Sequence, residues 1–328
     1  MEGSTPLVPV ERLAGKLGGG FELLVKYEGL NPTGSFKDRG MTTAVSEAFG
    51  RSAKTLICAS TGNTAASAAA YGARAGLDVI VLIPQGKVAA GKLAGASAYG
   101  ARIIQVEGSF DEALKLVVEI ADKHVISLVN SINPYRIEGQ KTAAFEICDT
   151  LEHAPDWLCL PVGNAGNITS YWAGFKQYDS LFFTGLPQIL GVQAEGAAPL
   201  VLGHPVENPE TAATAIRIGK PARGEQALEA ASESDGRIIA VSDEEILSMQ
   251  RMLAELEGIW VEPASAAGLA GLAHEIRVGN IDVKGKQIAA VCTGHGLKDP
   301  QIMMNSMPDP QVVPADMAAL ETILKGSL

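Results

Sequence analysis

The chain has 328 residues, 47% of them hydrophobic, which is enough for a large buried core and predicts about two domains. Its formal net charge of -11 argues against a nucleic acid as a partner, because proteins that bind nucleic acids usually present a basic patch. No apolar run approaches the ~18–20 residues that span a bilayer, and residues 1–9 lack the charged-then-apolar pattern of a signal peptide, so we expect no membrane partner.

Short apolar runs rich in β-formers alternate along the chain with Ala-rich helical stretches. In chain order the pattern predicts strand 23–27, helix 37–49, strand 55–59, helix 64–75, strand 79–83, helix 88–99, strand 102–106, helix 110–123, strand 125–129, helix 138–150, strand 157–161, helix 165–178, strands 189–193 and 237–241, helices 243–257 and 264–278, and strand 287–291. This alternation predicts an α/β fold whose mainly parallel sheets are covered by helices on both faces. Residues 196–225 contain several prolines and glycines, a composition that predicts a loop. A short helix is expected at 315–325.

The cysteine pattern gives no sign of a metal site or a disulfide framework. Cys58, Cys148, Cys159 and Cys292 form no C-x-x-C pair, and no cluster of histidine and cysteine has the spacing of zinc ligands. We therefore expect four reduced, mostly buried thiols in a cytosolic protein.

The first turn that can carry chemistry lies at 31–40 and delivers Lys37 to the start of an apolar helix. Ligands of doubly wound α/β proteins bind beyond the carboxyl ends of the strands, where such turns lie. The partial positive charge at a helix N-terminus disfavours the ammonium form, and a lysine must be neutral to attack an aldehyde. Taken alone, such a lysine is more often a surface residue paired with an acid such as Asp38.

The second turn, 59–65, reads Ala-Ser-Thr-Gly-Asn-Thr-Ala between an apolar strand and an Ala-rich helix. Its free backbone N–H groups, its three hydroxyls (Ser60, Thr61 and Thr64) and the Asn63 amide suit a carboxylate. An ordinary helix cap explains the same residues equally well.

The third turn, 162–168, reads Val-Gly-Asn-Ala-Gly-Asn-Ile, again between a strand and a helix. Glycines let the backbone approach a phosphate closely, and the helix N-terminus favours the anion. The turn matches neither the dinucleotide fingerprint nor the P-loop, so neither of those sites is supported. A merely structural turn is the alternative.

The fourth turn, 292–298, places the neutral hydroxyl of Thr293 at a strand end, beside His295, which by itself is more often a packed or capping residue. Together the four turns provide a lysine that can trap an aldehyde, a phosphate cradle, a carboxylate cradle and a hydroxyl for a ring nitrogen. Pyridoxal 5'-phosphate (PLP) with an amino-acid substrate requires this combination.

At these residues the chain resembles the fold-type II PLP enzymes and, within them, the threonine synthases. The most specific segments are 31–41 (Asn-Pro-Thr-Gly-Ser-Phe-Lys-Asp-Arg-Gly-Met), 130–136 (Asn-Ser-Ile-Asn-Pro-Tyr-Arg) and 293–300 (Thr-Gly-His-Gly-Leu-Lys-Asp-Pro). The resemblance implies a fold like that of tryptophan synthase β, with two doubly wound domains. A smaller mobile domain, 31–135, would be inserted into a larger domain made of 1–30 plus 136–328, which holds the cofactor-phosphate loop.

The resemblance also implies how the cofactor is held. Lys37 would bind PLP covalently and act as the catalytic residue, Asn63 would hydrogen-bond the ring oxygen, and Thr293 would face the pyridine nitrogen. The backbone and side chains expected around the cofactor phosphate are those of Gly163, Asn164, Ala165, Gly166 and Asn167.

The substrate implied by the resemblance is O-phospho-L-homoserine, converted with water to L-threonine and phosphate by γ-elimination and β-addition. This substrate would place its α-carboxylate at the turn that contains Ser60, Thr61 and Thr64. Its phosphate would be bound by Asn130, Ser131 and Arg136, since arginine offers a charged fork that matches phosphate oxygens. The resemblance further implies a cytoplasmic homodimer.

Other interpretations stay open at this point. In a threonine or serine dehydratase of the same fold, or in a cysteine synthase, the second phosphate site would be unnecessary and residues 130–136 would be structural. A non-catalytic ligand-binding protein would show no yellow chromophore, and a nicotinamide dehydrogenase would need the missing glycine fingerprint. Because Pro263 suits the first turn of a helix, Glu262 is interpreted as structural and left outside the catalytic set.

Overall fold

A computed structural model describes residues 1–86, 90–108, 110–306 and 309–324. Within them the strands are β1 (Leu7–Pro9), β2 (Glu22–Tyr27), β3 (Thr55–Ala59), β4 (Asp78–Pro84), β5 (Arg102–Val106), β6 (Ile126–Leu128), β7 (Trp157–Pro161), β8 (Gln188–Ala194), β9 (Arg237–Val241) and β10 (Gln287–Cys292). The α-helices there are α1 (Glu11–Lys16), α2 (Lys37–Gly50), α3 (Asn63–Ala75), α4 (Ala90–Ala98), α5 (Phe110–Lys123), α6 (Pro134–Gln140), α7 (Thr142–Leu151), α8 (Gly166–Phe182), α9 (Pro199–Leu202), α10 (Gly224–Glu233), α11 (Asp243–Glu257), α12 (Pro263–Arg277), α13 (Gln301–Ser306) and α14 (Met317–Leu324). Short 3-10 turns occupy Glu28–Leu30, Thr214–Ile216 and Gly296–Lys298.

The larger sheet has the strand order β1-β2-β10-β7-β8-β9, in which β1 is antiparallel to β2 and the other pairs are parallel. Every residue of β7 is buried, as expected for a strand covered on both faces. Helices α1, α11 and α12 pack on one face, and α7, α8 and α10 pack on the other. This arrangement confirms the prediction of a parallel-rich sheet between two helical layers.

The smaller sheet has the strand order β5-β4-β3-β6 and is parallel throughout. Helices α2, α3 and α4 cover one face, and α5 covers the other. Its strands all come from residues 55–128, within the range expected for the smaller domain. The domain limits of 31 and 135, and the mobility of that domain, stay predictions.

Most elements lie where the sequence pattern predicts them, including all nine expected strands. Strand β1 was not predicted, because its three residues pair only with β2 and carry no pattern of their own. The expected loop 196–225 contains α9, a 3-10 turn and the start of α10. Residues 88–89 of the expected helix 88–99 and residue 325 of the expected helix 315–325 lie outside the described residues.

The predicted helix 138–150 is wrong in its boundaries. Two helices, α6 and α7, occupy the region, and α6 begins at Pro134. Proline suits the first turn of a helix, and the Asn133 side chain caps that turn by accepting a hydrogen bond from the Tyr135 N–H at 2.9 Å. Lys141, between the two helices, keeps helical dihedral angles of -60° and -22°.

The four cysteines are free and buried, as the sequence predicted. None of the described helices is long and apolar enough to cross a membrane.

Candidate active site

Lys37 is the first residue of α2, and the turn before it is bound to the end of β10. The Phe36 N–H donates to the Thr293 carbonyl at 2.9 Å, and Ser35 forms a bridge with Gly294. The fully buried Asp38 carboxylate accepts hydrogen bonds from the Thr33 backbone and hydroxyl, each at 2.6 Å. Asp38 therefore fixes the turn, and the alternative of a solvated Lys37–Asp38 ion pair does not describe this site.

Burial, with a smaller contribution from the nearby Arg136 cation, lowers the pKa of Lys37 to about 7, although the Glu262 carboxylate opposes the shift. The amine also lies 4.2 Å from the centre of the Phe36 ring. Near neutral pH a large fraction of Lys37 is consequently the free amine, the form that attacks an aldehyde.

A buried ionic network anchors the first turn of α2 to the larger sheet. Arg39, which is 2% exposed, donates to Glu28 at 2.6 Å and to Glu146 at 2.6 Å, and Lys26 also donates to Glu146 at 2.7 Å. Glu28 and Lys26 belong to or adjoin β2, while Glu146 lies on α7. The helix that carries Lys37 is thus fixed in direction by groups from two other elements.

The expected carboxylate cradle lies at the N-terminus of α3. The Ser60 hydroxyl accepts from the Gly62 and Ala65 N–H groups, both at 3.3 Å, so it satisfies one N–H of the first turn although Gly62 is the N-cap residue. Thr61, Asn63 and Thr64 are partly buried at the same helix start. Since the first N–H groups of a helix lack intrahelical partners, this end of α3 still favours an anion.

The loop 163–167 has the features of a phosphate cradle. A side chain at Gly163 would bring its Cβ to 3.0 Å from the Ile216 Cα, so only glycine fits there without displacement of backbone. Ala165 adopts a left-handed φ of 64°, a strained conformation of the kind found at functional sites. The Asn167 Nδ2 is buried and has no hydrogen-bond partner among the described residues. An orphaned buried donor at a helix N-terminus fits the PLP phosphate.

Glu262, interpreted as structural from the sequence, lies at the centre of the site. It is 3% exposed and accepts hydrogen bonds from Asn63 Nδ2 at 3.1 and 3.0 Å and from the Thr293 hydroxyl at 3.3 Å. Burial raises the pKa of Glu262, and the Asn63 hydrogen bond opposes that rise. A signal was available in the sequence: glutamate is rarely buried without partners, and Glu262 stands in the apolar stretch between Val261 and Pro263.

Thr293 and His295 serve different purposes at the end of β10. Thr293 is 4% exposed, and its hydroxyl lies 2.9 Å from the Ser265 hydroxyl, beside Glu262. His295 accepts from the Leu297 N–H at 3.1 Å and packs between the rings of Tyr27 and Trp260. His295 is therefore a packed capping residue, which is the more frequent role that the sequence analysis gave for such a histidine.

Arg136 is a buried cation whose charge acts on Lys37. It is 1% exposed, and its Nη1 donates to the Val129 carbonyl at 2.8 Å. Its Nε and Nη2 have no partner in the part of the chain that the structure describes. Burial lowers the pKa of Arg136 to about 10. A buried guanidinium with two unused donors suits an anionic ligand, since leaving it unpaired is costly.

Asn130 and Ser131 lie in the turn that precedes α6. The Asn130 carboxamide pairs with the backbone of Ala59, accepting at 2.9 Å and donating at 2.8 Å, so only one of its N–H groups is left for a ligand. Ser131 is partly buried, and its carbonyl accepts from Arg223 at 3.2 Å. Asn164, in the loop 163–167, accepts from the Ala222 N–H at 3.3 Å.

Comparison with known proteins identifies the family. A family model described as "Pyridoxal-phosphate dependent enzyme" matches residues 1–294. A threonine synthase of Halalkalibacterium halodurans is 56% identical over all of this chain and 92% of its own length. A threonine synthase of Mycobacterium bovis is 56% identical over 98% of this chain and 89% of its own.

Among solved structures, a cysteine synthase from Entamoeba histolytica superposes with a TM-score of 0.78 at 22% identity, covering 99% of this chain and 94% of that one. The likeness supports the fold alone, which is that of the fold-type II PLP enzymes. With the sequence relatives, it shows that the chain belongs to the PLP-dependent enzyme family and, within it, to the threonine synthases.

Proposed function

We propose that this site binds PLP on Lys37 and converts O-phospho-L-homoserine and water to L-threonine and phosphate, which is the reaction of a PLP-dependent carbon–oxygen lyase. The observation that carries the proposal is Arg136, a buried guanidinium with two donors that meet no partner among the described residues and a charge near enough to Lys37 to lower its pKa. A substrate that brings its own phosphate provides the anion that this group requires.

We assign each part of the cofactor to one of the turns that follow the strands. The loop 163–167 would hold the phosphate, Asn63 the ring oxygen and Thr293 the pyridine nitrogen. When bound there, PLP supplies an electron sink that acidifies the protons of an amino-acid substrate. Glu262 would orient Asn63, because one N–H of the Asn63 amide already points to the Glu262 carboxylate and leaves the other for the ring oxygen.

The reacting protons are assigned to Lys37. With a pKa lowered to about 7, its amine can take the Cα proton near neutral pH, release it, and then take the Cβ proton; one proton is delivered to Cγ, and one returns to Cα after the hydroxyl group of water has bonded to Cβ. Arg136 would stabilise the charge that develops on the leaving phosphate, an interaction that grows as the Cγ–O bond breaks. The N-terminus of α3, with Ser60, Thr61 and Thr64, would bind the carboxylate. Water then adds at Cβ.

Domain closure would exclude water during elimination and admit it afterwards. We place the moving part at 31–135, supported by the separate four-stranded sheet built from residues 55–128. The turn 31–36, where this range begins, is bonded to the end of β10, so it would act as the hinge and Lys37 beside it would move little while the ends of β3 and β6 approach. A cytoplasmic homodimer, implied by the family, completes the proposal.

The test compares two substrates on PLP-loaded protein. Release of phosphate from O-phospho-L-homoserine, absent in the variant Lys37→Ala, supports the proposal. Formation of 2-oxobutyrate and ammonia from threonine, without phosphate release from O-phospho-L-homoserine, would contradict it and assign the site to a dehydratase. Size-exclusion chromatography of the loaded protein tests the dimer.

A further inference from the structure

Residues 211–224, here called the crossing segment, are fixed at several points along the larger sheet. The Ala212 N–H donates to Asp243 at the start of α11 at 2.7 Å. The Thr214 hydroxyl donates to Asp299 at 2.6 Å. Gly219 lies so close to the Val206 carbonyl that an added Cβ would approach it to 1.9 Å. The crossing segment is therefore a fixed part of the fold, although the sequence pattern read it as loop.

The crossing segment passes directly behind the loop 163–167. Ile216 is the residue against which Gly163 packs, and the Ala222 N–H donates to the Asn164 side chain at 3.3 Å. One face of the proposed cofactor-phosphate loop thus rests on this segment.

At its end the crossing segment reaches the other sheet through Arg223. The Arg223 Nε donates to the Ser131 carbonyl at 3.2 Å, and Nη2 lies 3.4 Å from the Ile132 carbonyl. These carbonyls belong to the central residues of a turn closed by a 3.0 Å hydrogen bond from the Asn133 N–H to the Asn130 carbonyl. The turn follows β6 of the smaller sheet, whereas Arg223 precedes α10, which packs on the larger sheet.

We infer that Arg223 is a positioning residue for substrate phosphate: by holding the Ser131 and Ile132 carbonyls, it sets the 130–133 turn against the loop that carries Asn164. The inference rests on the proposed function, which places the substrate phosphate at Asn130, Ser131 and Arg136. A guanidinium fork can serve two carbonyls at once, whereas the point-like lysine ammonium does not reproduce that geometry. The positive charge of Arg223 beside the turn also favours a dianionic ligand there.

Steady-state kinetics of PLP-loaded variants with O-phospho-L-homoserine test the inference. Arg223→Met should raise KM roughly tenfold, the loss expected if the displaced turn costs the substrate phosphate one charge-assisted hydrogen bond, with kcat changed by less than about twofold. Arg223→Lys should lie between, with KM raised about threefold, because it keeps the charge and one of two contacts. The dissociation constant of PLP should not change in either variant.

Arg217→Met is the matched control, since it also removes a cation from the crossing segment. Within the described chain, the only ion pair of Arg217 is a 3.7 Å contact with the exposed Glu210. An unchanged KM in Arg223→Met, or an equal rise in both methionine variants, would overturn the inference while leaving the proposed function intact. If Arg223→Met failed to fold, an unchanged KM in Arg223→Lys would have the same meaning. A parent protein that binds PLP but releases no phosphate would overturn the proposed function and the inference together.

Discussion

We expect Arg136→Met to weaken substrate binding without weakening the fold. Burial lowers the pKa of Arg136 from 12.5 to about 10, which at about 1.4 kcal/mol per pH unit corresponds to roughly 3 kcal/mol against keeping the cation folded. Methionine removes that cost and fills similar space, but it loses the hydrogen bond to the Val129 carbonyl, worth about 1–2 kcal/mol. The free energy of unfolding of the cofactor-free protein should therefore rise by about 1–2 kcal/mol.

The same variant should bind O-phospho-L-homoserine poorly. The Nε and Nη2 atoms of Arg136 provide two donors to a phosphate, each worth about 1.5–3 kcal/mol, so KM should increase at least ~100-fold. Urea unfolding of the cofactor-free protein and phosphate release from the loaded protein measure the two effects. Arg74→Met, at an exposed position of α3, is the control. It should change the free energy of unfolding by no more than about 0.5 kcal/mol and KM by no more than about twofold.

A variant that unfolds more easily and keeps its KM would refute this reasoning. Arg136 would then be a structural residue whose donors meet no substrate anion, as a dehydratase of the same fold would require.

Three further predictions concern the surroundings of Lys37. Lys37→Ala should abolish both turnover and the visible absorbance of the lysine-bound cofactor, and activity in this variant would remove Lys37 from the reaction. Glu262→Gln should raise the dissociation constant of PLP about tenfold in an absorbance titration, because Asn63 loses its charged acceptor; an unchanged constant would return Glu262 to a structural role. Burial alone would raise the pKa of Glu146, but hydrogen bonds from Arg39 outweigh burial and lower the pKa from 4.5 to about 2. The stability that this carboxylate contributes is therefore complete above pH ~5 and is lost as the pH falls towards ~2. Glu146→Gln should consequently be less stable than the parent protein at pH 7 in urea unfolding, with a difference that shrinks by pH 3; a difference independent of pH would contradict the assignment.

The sequence predicts the parts of this fold that depend on local pattern. The buried strands are continuous apolar runs bounded by turn residues, so all nine expected strands appear within one or two residues of their predicted limits. Strand β1 has only three residues and is defined by its pairing with β2, and the start of α6 depends on the Asn133 cap; an apolar pattern reveals neither.

The candidate site shows the same division. Lys37, the loop 163–167 and Thr293 lie on strand-to-helix turns whose residue types already suggest a ligand. Glu262 could not be assigned in this way, because its role depends on Asn63, 199 residues away. Arg223 is likewise defined by carbonyls about ninety residues earlier in the chain, and only the folded structure brings them together.

An isotope experiment tests the central claim most directly. The PLP-loaded protein would be incubated with O-phospho-L-homoserine in water labelled with oxygen-18. The amounts of threonine and phosphate, and the oxygen-18 content of each, would be measured by mass spectrometry. The account predicts equal amounts of both products, one label in the threonine hydroxyl and none in the phosphate, because the Cγ–O bond breaks and water adds at Cβ. Labelled phosphate accompanied by homoserine would show hydrolysis of the phosphate ester instead and would contradict the assignment of Lys37 and Arg136.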